Sequence, residues 1–444
     1  MSTVSLARKV AFSILKTMET HGHSDTLLRS RSVEVLSDPD RKLTTALVLG
    51  VLRRQIELDV RIKPLLKHPN TKLDTEVLIA LRMGAFQLLH MDRIPARAAI
   101  DESVELTKEA GHRFASGMVN AVLRKLAASR EGSTSDEGLG GSKLGYPAWM
   151  VERWRGTYGD DATCMICRHG QEQPQQFVRL SGDEVERELA AEGIELGQGE
   201  FLTAARKVVN GDVTKTAAFR DGRVRIQDEG SQLIAELVPR GKRILDCCAA
   251  PGGKTLILGE RNPEADMVAC DGSRQRLGDL RQRLRNLGER VECRLGDATQ
   301  LNDENVFDLV LADVPCSGTG TLGRNPEIRH RLRAEDLQRQ AERQQAILRS
   351  ALRAARPAGF VLYSTCSLEP EENERVVEAV LGEQAGVELL SLTSRIEELR
   401  LEGTLTRAGS DRLSGCVTEQ GPLRLLPGLF KTDGFFAALI QKAG

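Results

Sequence analysis

A chain of 444 residues is too long for a single hydrophobic core and should divide into two or three domains. Its hydrophobic fraction of 40% and charged fraction of 28% are those of a globular protein, and a net charge of -1 excludes a uniformly basic nucleic-acid coat. The sequence has no apolar run long enough for a membrane span and no signal-peptide layout, so we expect a cytoplasmic protein without a membrane partner. Nine cysteines in no regular framework fit reduced thiols.

The first 130 residues have helical periodicity throughout. One apolar stripe recurs every three or four residues from Ala7 to Leu15, and similar stripes run through residues 43–52, 77–89, 98–106 and 119–126. The pattern predicts an all-helical domain over residues 1–130. This region has 21 Lys and Arg against 14 Asp and Glu, which allows a local basic patch. The candidates for phosphate contacts are Arg8, Lys9, Arg53, Arg54, Arg124 and Lys125.

Residues 131–145 are rich in Gly and Ser and lack apolar content, which predicts a flexible linker. A small α+β subdomain should follow over residues 146–225. We expect it to open with a short helix at Pro147, and to contain a strand at Phe177–Leu180 and a helix at Asp183–Glu192.

Two cysteines in this subdomain suggest a zinc site. Cys164 and Cys167 are three residues apart, and His169 lies close by. A structural zinc site needs four ligands, however, and no second pair has suitable spacing. We therefore expect buried helix cysteines and no metal.

From residue 226 to 444, short apolar runs alternate with helical patterns, which is typical of a parallel sheet covered by helices on both faces. The longest predicted helices are Arg274–Asn286 and Glu335–Ala354. The number and order of the elements match an α/β sheet related to the dinucleotide-binding fold. Strands are expected near Arg243–Asp246, Met267–Cys270, Val291–Arg294, Asp308–Ala312, Phe360–Tyr363 and Phe435–Ile440.

The first strand of this sheet leads into a loop of small residues: Cys248, Ala249, Ala250, Pro251, Gly252, Gly253 and Lys254. Small side chains and paired glycines let a ligand approach the backbone, and amides at the following helix start would face a carboxylate or phosphate. A phosphate-binding P-loop is the rival interpretation, because Gly253-Lys254-Thr255 imitates its ending. The rival fails on spacing, since a P-loop has a glycine where this chain has Cys248.

Three carboxylates follow later strands. Asp271 ends the second strand, where such folds place an acid for ribose hydroxyls, and Asp297 and Asp313 follow the next two strands. A lone strand-end Asp is usually a helix cap or a turn former. Several of them, each after a strand of one alternating sheet, favour a binding site.

Two loops each carry a thiol at a strand end. The sequence DVPCSGTG over residues 313–320 contains Cys316, and the sequence STCS over residues 364–367 contains Cys366. A buried structural cysteine is the ordinary explanation for either residue alone. Two thiols at strand ends that face one cleft point to catalysis instead.

The spellings CAAPGGK, DxPCSGTG and STCS, in this order, resemble the RNA cytosine-5 methyltransferases that use S-adenosylmethionine (SAM), most closely the bacterial 16S ribosomal RNA enzymes of the Sun/Fmu type. Residues 49–53, 81–89 and 119–125 resemble the RNA-binding domain of the antitermination factor NusB. The resemblance implies SAM as the cofactor and 16S ribosomal RNA as the partner. We expect the chain to act as a monomer.

The resemblance also gives each region a role. Residues 1–130 would be an all-α NusB-like RNA-binding domain, residues 146–225 a small α+β RNA-facing subdomain, and residues 226–444 an α/β Rossmann-like SAM-dependent methyltransferase domain. The cofactor would contact the loop of residues 248–254 together with Asp271, Asp297 and Asp313. Asp297 would reach the adenine edge.

For catalysis, the resemblance implies that Cys366 adds to C6 of cytosine as the nucleophile and that Cys316 assists product release. Addition at C6 makes C5 electron-rich enough to attack a sulfonium methyl group. Asp313 is placed to hydrogen-bond N3 of the ring, and must hold or share a proton for part of the cycle. Lys254 is expected to support the site through charge or hydrogen bonding.

Two other functions fit parts of the sequence. A non-catalytic RNA-binding or antitermination protein is supported by the N-terminal region, but the intact loop at residues 248–254, Asp313 and both cysteines argue against it. A methyltransferase acting on another RNA or on DNA is a weaker alternative, and DNA is disfavoured by the loop of Cys366, which the resemblance assigns to the RNA enzymes, and by the N-terminal domain. The chain departs from the family at residues 323–326. Phosphate contacts are expected from Arg324, Arg329, Arg331 and Arg333.

Overall fold

The computed structural model describes residues 4–70, 72–129 and 144–444. The chain forms two compact units, of which the first comprises the chain up to Glu172 together with Leu322–Arg331. The second comprises Gln173–Thr321 and Leu332–Gly444. Most of the predicted linker at 131–145 lies outside the described residues. No helix among the described residues is long and apolar enough to span a membrane.

The first unit is helical, as its apolar stripes predict. Apolar faces of its longer helices form one core in which Leu47, Leu81 and Val119 have no exposed surface. The 25-residue helix begins where the Ser37 side chain accepts a hydrogen bond from the Asp40 amide, which caps its first turn. The helices are α1 (Leu6–Met18), α2 (Ser24–Leu28), α3 (Arg31–Glu34), α4 (Asp38–Ile62), α5 (Thr75–His90), α6 (Ala96–Glu109), α7 (Ser116–Ala128) and α8 (Ala148–Gln171).

The helix predicted to be short at Pro147 is in fact the long α8. Gly159 interrupts it with φ +80° and ψ 174°, a conformation that favours glycine. The interruption breaks the apolar stripe, so the sequence pattern shows only the first turns. α8 belongs to the helical unit, although the α+β subdomain was expected to begin at residue 146.

The second unit contains a small antiparallel sheet and a large mixed sheet. The small sheet has the order β2-β3-β1-β4, and its first strand matches the predicted one. The predicted helix at Asp183–Glu192 is present and ends one residue early. The elements are β1 (Phe177–Leu180), α9 (Asp183–Ala191), β2 (Glu195–Gln198), β3 (Ala205–Asn210), α10 (Ala217–Arg220) and β4 (Val224–Ile226).

The large sheet confirms the predicted parallel arrangement. It contains all six predicted strands, in the order β10-β12-β9-β8-β5-β6-β7, with β11 paired to β12. The five strands from β9 to β7 are parallel, and β12 runs antiparallel to β9. The strands are β5 (Arg243–Asp246), β6 (Asp266–Asp271), β7 (Val291–Leu295), β8 (Phe307–Asp313), β9 (Ala355–Thr365), β10 (Val387–Leu390), β11 (Leu423–Leu425) and β12 (Phe435–Lys442).

The order places β5 at the point where the chain changes direction across the sheet. The chain passes from β5 to β6 and β7 on one side, and then starts β8 on the other side of β5. Ligands of open α/β sheets bind at such a switch point, beyond the carboxyl ends of the strands. The predicted loops after β5, β8 and β9 therefore meet at one edge.

Helices cover this sheet and connect its strands. The predicted helices at Arg274–Asn286 and Glu335–Ala354 are present as α13 and α15, while β10, α17, α18 and β11 were not predicted. The helices are α11 (Glu229–Leu237), α12 (Gly253–Arg261), α13 (Arg274–Arg283), α15 (Ala334–Ala354), α16 (Glu374–Glu383), α17 (Leu392–Leu401) and α18 (Arg407–Ser414). The short α14 (Ile328–Arg331) belongs to the helical unit.

Candidate active site

The register of the parallel strands brings the predicted loops side by side. Asp246 at the end of β5 pairs with Leu311 of β8 and with Ala269 of β6. Asp313 at the end of β8 pairs with Ser364 of β9. The loops that begin at these strand ends hold a thiol, a carboxylate and an amine within one region.

The loop of residues 248–254 turns sharply from β5 into α12. Gly252 adopts a left-handed φ of +97°, and a Cβ atom there would lie 2.8 Å from Leu280. The Ala249 amide donates to the Cys270 carbonyl at 2.9 Å, and the Gly252 amide donates to the Ala249 carbonyl at 2.7 Å. These bonds hold the loop against the end of β6, with α12 beginning at Gly253.

The residues around this loop fit a ligand with donor groups. The Oδ1 atom of Asp246 and the Oε1 atom of Gln227 are buried and have no hydrogen-bond partner among the described residues. A Cβ atom at Gly253 would lie 3.2 Å from the Gln227 side chain, so the glycine leaves space beside it. Unpartnered buried acceptors are costly, so they favour a ligand that brings an ammonium or hydroxyl group. The ammonium and ribose hydroxyls of SAM are groups of this kind.

Asp246 itself is held in an unusual state. Burial raises its pKa to about 7, and the nearby Asp313 adds to the rise, while a hydrogen bond from Thr255 opposes it. The Thr255 hydroxyl donates to Oδ2 of Asp246 at 2.7 Å. Asp246 thus joins β5 to α12 beneath the loop.

Asp271 and Asp297 occupy different environments. Asp271 is 3% exposed, and it accepts hydrogen bonds from the backbone amides of Ser273 at 2.8 Å and Ala250 at 3.3 Å. It therefore lies against the loop of residues 248–254, as expected. Asp297 is exposed and accepts from the Thr299 amide at 2.9 Å. That bond lowers the pKa of Asp297, so in this structure it acts as a helix cap.

Lys254 and Asp313 form an ion pair at the centre of the site. The Lys254 ammonium lies 2.8 Å from Oδ2 of Asp313, and Oδ1 of Asp313 accepts from the Ser364 hydroxyl at 2.8 Å. Burial acts to lower the pKa of Lys254, but attraction to Asp313, their hydrogen bond and the nearby Cys366 outweigh it, and the pKa is raised. The partner of Lys254, which the sequence left open, is Asp313.

The two predicted thiols lie together. The Sγ atoms of Cys316 and Cys366 are 3.4 Å apart, and both side chains are half-buried. The hydrogen bond to Cys366 raises the pKa of the Cys316 thiol, and burial and the negative charges of Cys366 and Glu372 add to the effect. The raised pKa keeps the Cys316 thiol protonated.

The loops of the two cysteines are joined by close backbone contact at Gly320. Its amide donates to the Cys366 carbonyl at 2.9 Å, and its carbonyl accepts from the Gly434 amide at 2.9 Å. A Cβ atom at Gly320 would lie 2.4 Å from the Gly434 oxygen and 2.8 Å from the Cys366 oxygen. The second glycine of the GTG spelling, Gly320, is therefore required by close approach.

Sequence reasoning missed several residues of the site. Glu372 is fully buried beside both cysteine loops, and Gln344 of α15 donates to it at 3.0 Å. Glu372 lies in the sequence EPEENE, which is typical of a solvated acidic loop, so the sequence carries no signal for its burial. Gln227 and Ser364 were also missed, because both depend on the tertiary approach of separate loops.

Four of the arginines proposed for phosphate contacts are structural residues of the helical unit. Arg8 is 6% exposed and binds Gln87 and Glu102, and Arg53 is 9% exposed and donates to the Gly323 carbonyl. A guanidinium that is buried and bonded in this way cannot also face an RNA phosphate. The other two are Arg329, which donates to the carbonyls of Arg53, Gly145, Gly170 and Leu322, and Arg331, which donates to those of Gly22 and Met18.

Cys164 and Cys167 lie on α8, as expected for helix cysteines, and Cys167 is buried. Burial raises the pKa of Cys167 to about 12, so its thiol stays protonated. In residues 4–70, 72–129 and 144–444, no group of three or more His, Cys, Asp or Glu side chains could hold a metal ion.

Comparisons with known proteins match both the N-terminal and the C-terminal parts of the chain. The model of the family described as 16S rRNA methyltransferase RsmB/F matches residues 235–441, and that of the NusB family matches residues 5–128. The probable ribosomal RNA small subunit methyltransferase B of Bacillus subtilis is 33% identical, covering 97% of this chain and 97% of its own. Ribosomal RNA small subunit methyltransferase B of Xanthomonas campestris is 33% identical, covering 98% of this chain and 97% of its own.

A solved structure shares the fold over the full length. The crystal structure of PH0851 has a TM-score of 0.77 at 24% identity and covers 100% of both chains. The full-length similarity to the curated relatives, together with the two matching family models, shows the family. This chain belongs to the RsmB/F family of 16S rRNA methyltransferases, with a NusB domain at its N-terminal end.

Proposed function

We propose that this chain transfers the methyl group of SAM to C5 of a cytosine in 16S ribosomal RNA, through a covalent bond between Cys366 and C6. The observation that carries the proposal is the 3.4 Å separation of the two thiols from different loops. A single buried cysteine would be an ordinary core residue, whereas two thiols beside a Lys–Asp pair form a catalytic group.

The chain's own residues can hold the cofactor at the switch point of the sheet. Its methionine part would lie along the loop of residues 248–254, with the unpartnered oxygens of Asp246 and Gln227 as acceptors for its ammonium. Asp271 would accept from the ribose hydroxyls, and Asp297 would reach the adenine edge once a ligand competes with its cap. The cofactor supplies an electrophilic methyl group to this edge of the sheet.

Cys366 would start the reaction by adding to C6. The Lys254 ammonium would stabilise a thiolate formed at Cys366, because a charge on Cys366 lies close enough to raise the pKa of Lys254. Addition to C6 places negative charge on N3 and O2 of the ring. Asp313, which shares a hydrogen bond with Lys254 at 2.8 Å, would pass a proton held between the two to N3.

Cys316 would act after methyl transfer. The C5 proton would then pass to water, the bond between Cys366 and C6 would break to restore the aromatic ring and the free thiolate, and N3 would return its proton to the Lys254–Asp313 pair. Cys316 keeps its proton in the resting site and lies 3.4 Å from the departing sulfur, which it can hydrogen-bond. We therefore assign Cys316 to release and Cys366 to attack.

The two assignments predict different covalent complexes. Cys366→Ala cannot form the adduct and should abolish methylation while SAM binding stays nearly intact. Cys316→Ala should add and transfer the methyl group but stall before release, so that protein accumulates bound to RNA. A denaturing gel with labelled RNA measures this, and Cys293→Ala, at a half-buried cysteine of β7, is the matched control.

We expect a SAM-dependent slow band for Cys316→Ala and none for Cys366→Ala or the control. The reverse pattern would make Cys316 the nucleophile. The substrate is tested separately by bisulfite sequencing of ribosomal RNA from a deletion strain and from the wild type. If no 5-methylcytosine is lost from 16S ribosomal RNA in the deletion strain, the substrate assignment is wrong.

A further inference from the structure

Glu372 is a buried carboxylate for which the reaction outlined above has no use. It lies six residues after Cys366, and none of its surface is exposed. Burying a carboxylate is strongly unfavourable unless hydrogen-bond donors surround it. An acid retained in this position therefore indicates a role that an apolar residue could not fill.

The donors to Glu372 come from both cysteine loops. Its Oε1 atom accepts from the Ser317 amide at 2.8 Å and from the Gln344 side chain at 3.0 Å. Its Oε2 atom accepts from the hydroxyls of Ser317 and Ser367. Ser317 directly follows Cys316, and Ser367 directly follows Cys366, so one carboxylate joins the two residues next to the two thiols.

A second contact extends this frame to the residue before Cys316. The Nε2 atom of Gln344, which donates to Glu372, also donates to the Pro315 carbonyl at 2.9 Å. The backbone on both sides of Cys316 is therefore fixed with reference to Glu372. If backbone hydrogen bonds alone held the loops, side chains such as those of Glu372 and Gln344 would not be needed there.

We propose that Glu372 is a positioning residue that holds the loops of Cys316 and Cys366 in register, so that their Sγ atoms remain within contact distance. The charge of Glu372 also contributes to the raised pKa of the Cys316 thiol, after the hydrogen bond to Cys366 and burial. Glu372 thus keeps the releasing thiol close to the attacking thiol. The kinetic consequence rests on the proposed function, whereas the thiol geometry does not.

Other bonds also join these loops, and they define the competing explanation. Gly320 donates to the Cys366 carbonyl at 2.9 Å, and the Leu368 amide donates to the Thr319 hydroxyl at 2.8 Å. These bonds act beyond Cys316, at the far end of its loop. If they were sufficient, loss of the Glu372 charge would leave the thiol separation unchanged.

The thiol separation can be measured without any methyl transfer. In a glutathione buffer, the two protein thiols and one glutathione disulfide give a protein disulfide and two glutathione molecules. The equilibrium constant reports the effective concentration of one thiol at the other, and mass spectrometry of the joined peptides identifies the Cys316–Cys366 bond. We expect Glu372→Gln to lower this effective concentration by about tenfold, because an amide nitrogen replaces one of the two oxygens that accept from the four donors.

Glu371→Gln is the matched control, since Glu371 adjoins Glu372 in sequence and pairs with Arg375 at 2.9 Å. The effective concentration of one thiol at the other should be the same in Glu371→Gln as in the wild type. In single-turnover methylation of 16S ribosomal RNA, Glu372→Gln should lower the rate by about 10²-fold, while the SAM dissociation constant by calorimetry changes less than about threefold.

An unchanged thiol equilibrium in Glu372→Gln would overturn the inference, whether or not methylation slows. An equal fall in the Glu371→Gln control would overturn it as well. If Glu372→Gln fails to fold, Ser367→Ala removes one donor and keeps the charge, and we expect a smaller fall of about threefold in the same equilibrium. Absence of 5-methylcytosine in the RNA would refute the proposed function but would leave the thiol equilibrium to decide the role of Glu372.

Discussion

Each of the two compact units holds a cation away from solvent, and the groups that stabilise its charge differ. In the helical unit, Arg329 is 1% exposed, its guanidinium donates to four backbone carbonyls, and it stacks 4.1 Å from the ring centre of Tyr146. In the catalytic unit, Lys254 is paired with the carboxylate of Asp313 at 2.8 Å. The first cation thus faces fixed dipoles, and the second faces a group that can exchange a proton.

This difference separates architecture from chemistry. Backbone carbonyls do not titrate and move little, so the site of Arg329 has one state, which holds Leu322–Arg331 in the helical unit. A lysine beside a carboxylate can share its proton and respond to charge on a substrate. Burial of a charged group is therefore a poor guide to catalysis until its partners are known.

The largest effect should come from breaking the ion pair between Lys254 and Asp313. Lys254→Met keeps the length of the side chain and removes the charge beside Asp313 and Cys366. We expect single-turnover methylation to fall by about 10³-fold, or about 4 kcal/mol, because the thiolate loses its counter-ion. Lys242→Met, at an exposed lysine just before β5, is the control and should keep its activity. A Lys254→Met variant within threefold of the wild-type rate would show that the pair is structural.

A change at Arg329 should affect the stability of the fold instead of the rate of methylation. Arg329→Met leaves four carbonyls of the helical unit without their donor, and we expect a loss of about 3 kcal/mol in the free energy of unfolding. Both tryptophans, Trp149 and Trp154, lie on α8, so fluorescence in urea follows this unit. Arg97→Met, at a side chain that is 93% exposed, should change stability by less than about 0.5 kcal/mol. Equal midpoints for the two variants would contradict the role of Arg329.

Gly320→Ala tests the catalytic unit through its backbone. The added Cβ atom would lie 2.8 Å from the Cys366 oxygen and 2.4 Å from the Gly434 oxygen, so the loop of Cys316 must move away from the loop of Cys366. We expect methylation to fall by about 10²-fold, since small displacements of reacting groups cost this much. At Gly278 of α13 a Cβ atom would meet nothing within 4 Å, and Gly278→Ala should keep its activity. Normal activity in Gly320→Ala would mean that the loops tolerate separation.

The regularities of the sheet could be predicted from the sequence. Buried parallel strands read as short apolar runs, and their carboxyl ends must meet at one edge, which is why the meeting of Cys316, Cys366 and Asp313 was foreseeable. Lys254 was identified as a site residue, but its partner was not. The two residues of this ion pair are 59 positions apart in the chain, so their meeting depends on the register of the strands, which no local sequence pattern contains.

The sequence did not distinguish buried charges from solvated ones. Arg329 was expected to contact RNA because it lies in an arginine-rich stretch, yet it is enclosed by carbonyls, whereas Arg333 in the same stretch is exposed. Glu372 lies among other acids in the sequence. In the structure it is fully buried, whereas its sequence neighbour Glu371 is partly exposed. In each case tertiary packing, and not residue type or spacing, decides whether the charge faces water.

The smallest effect should come from a neighbour of Arg329 that can titrate. Burial lowers the pKa of His330 from 6.5 to about 4, with Arg329 and Arg82 adding to the fall and Asp59 opposing it. The Nε2 atom of His330 donates to the Leu52 carbonyl at 2.8 Å, which opposes the fall, but the lowered pKa keeps the ring neutral in the folded chain at neutral pH.

Because the unfolded chain takes up the His330 proton first as the pH falls, the folded state should lose stability between pH 6.5 and about 4 and keep it above that range. From pH 7 to 5.5 we expect a loss of about 1 kcal/mol that His330→Gln, which retains a donor for Leu52, does not show. Urea unfolding of both proteins at the two pH values, followed by the fluorescence of α8, measures the difference. Glu57, whose pKa is lowered to about 2 in the folded chain, contributes equally to both proteins and so cancels. Parallel pH profiles for the two proteins would mean that His330 is protonated without cost, and that the fixed dipoles around Arg329 leave room for a second charge.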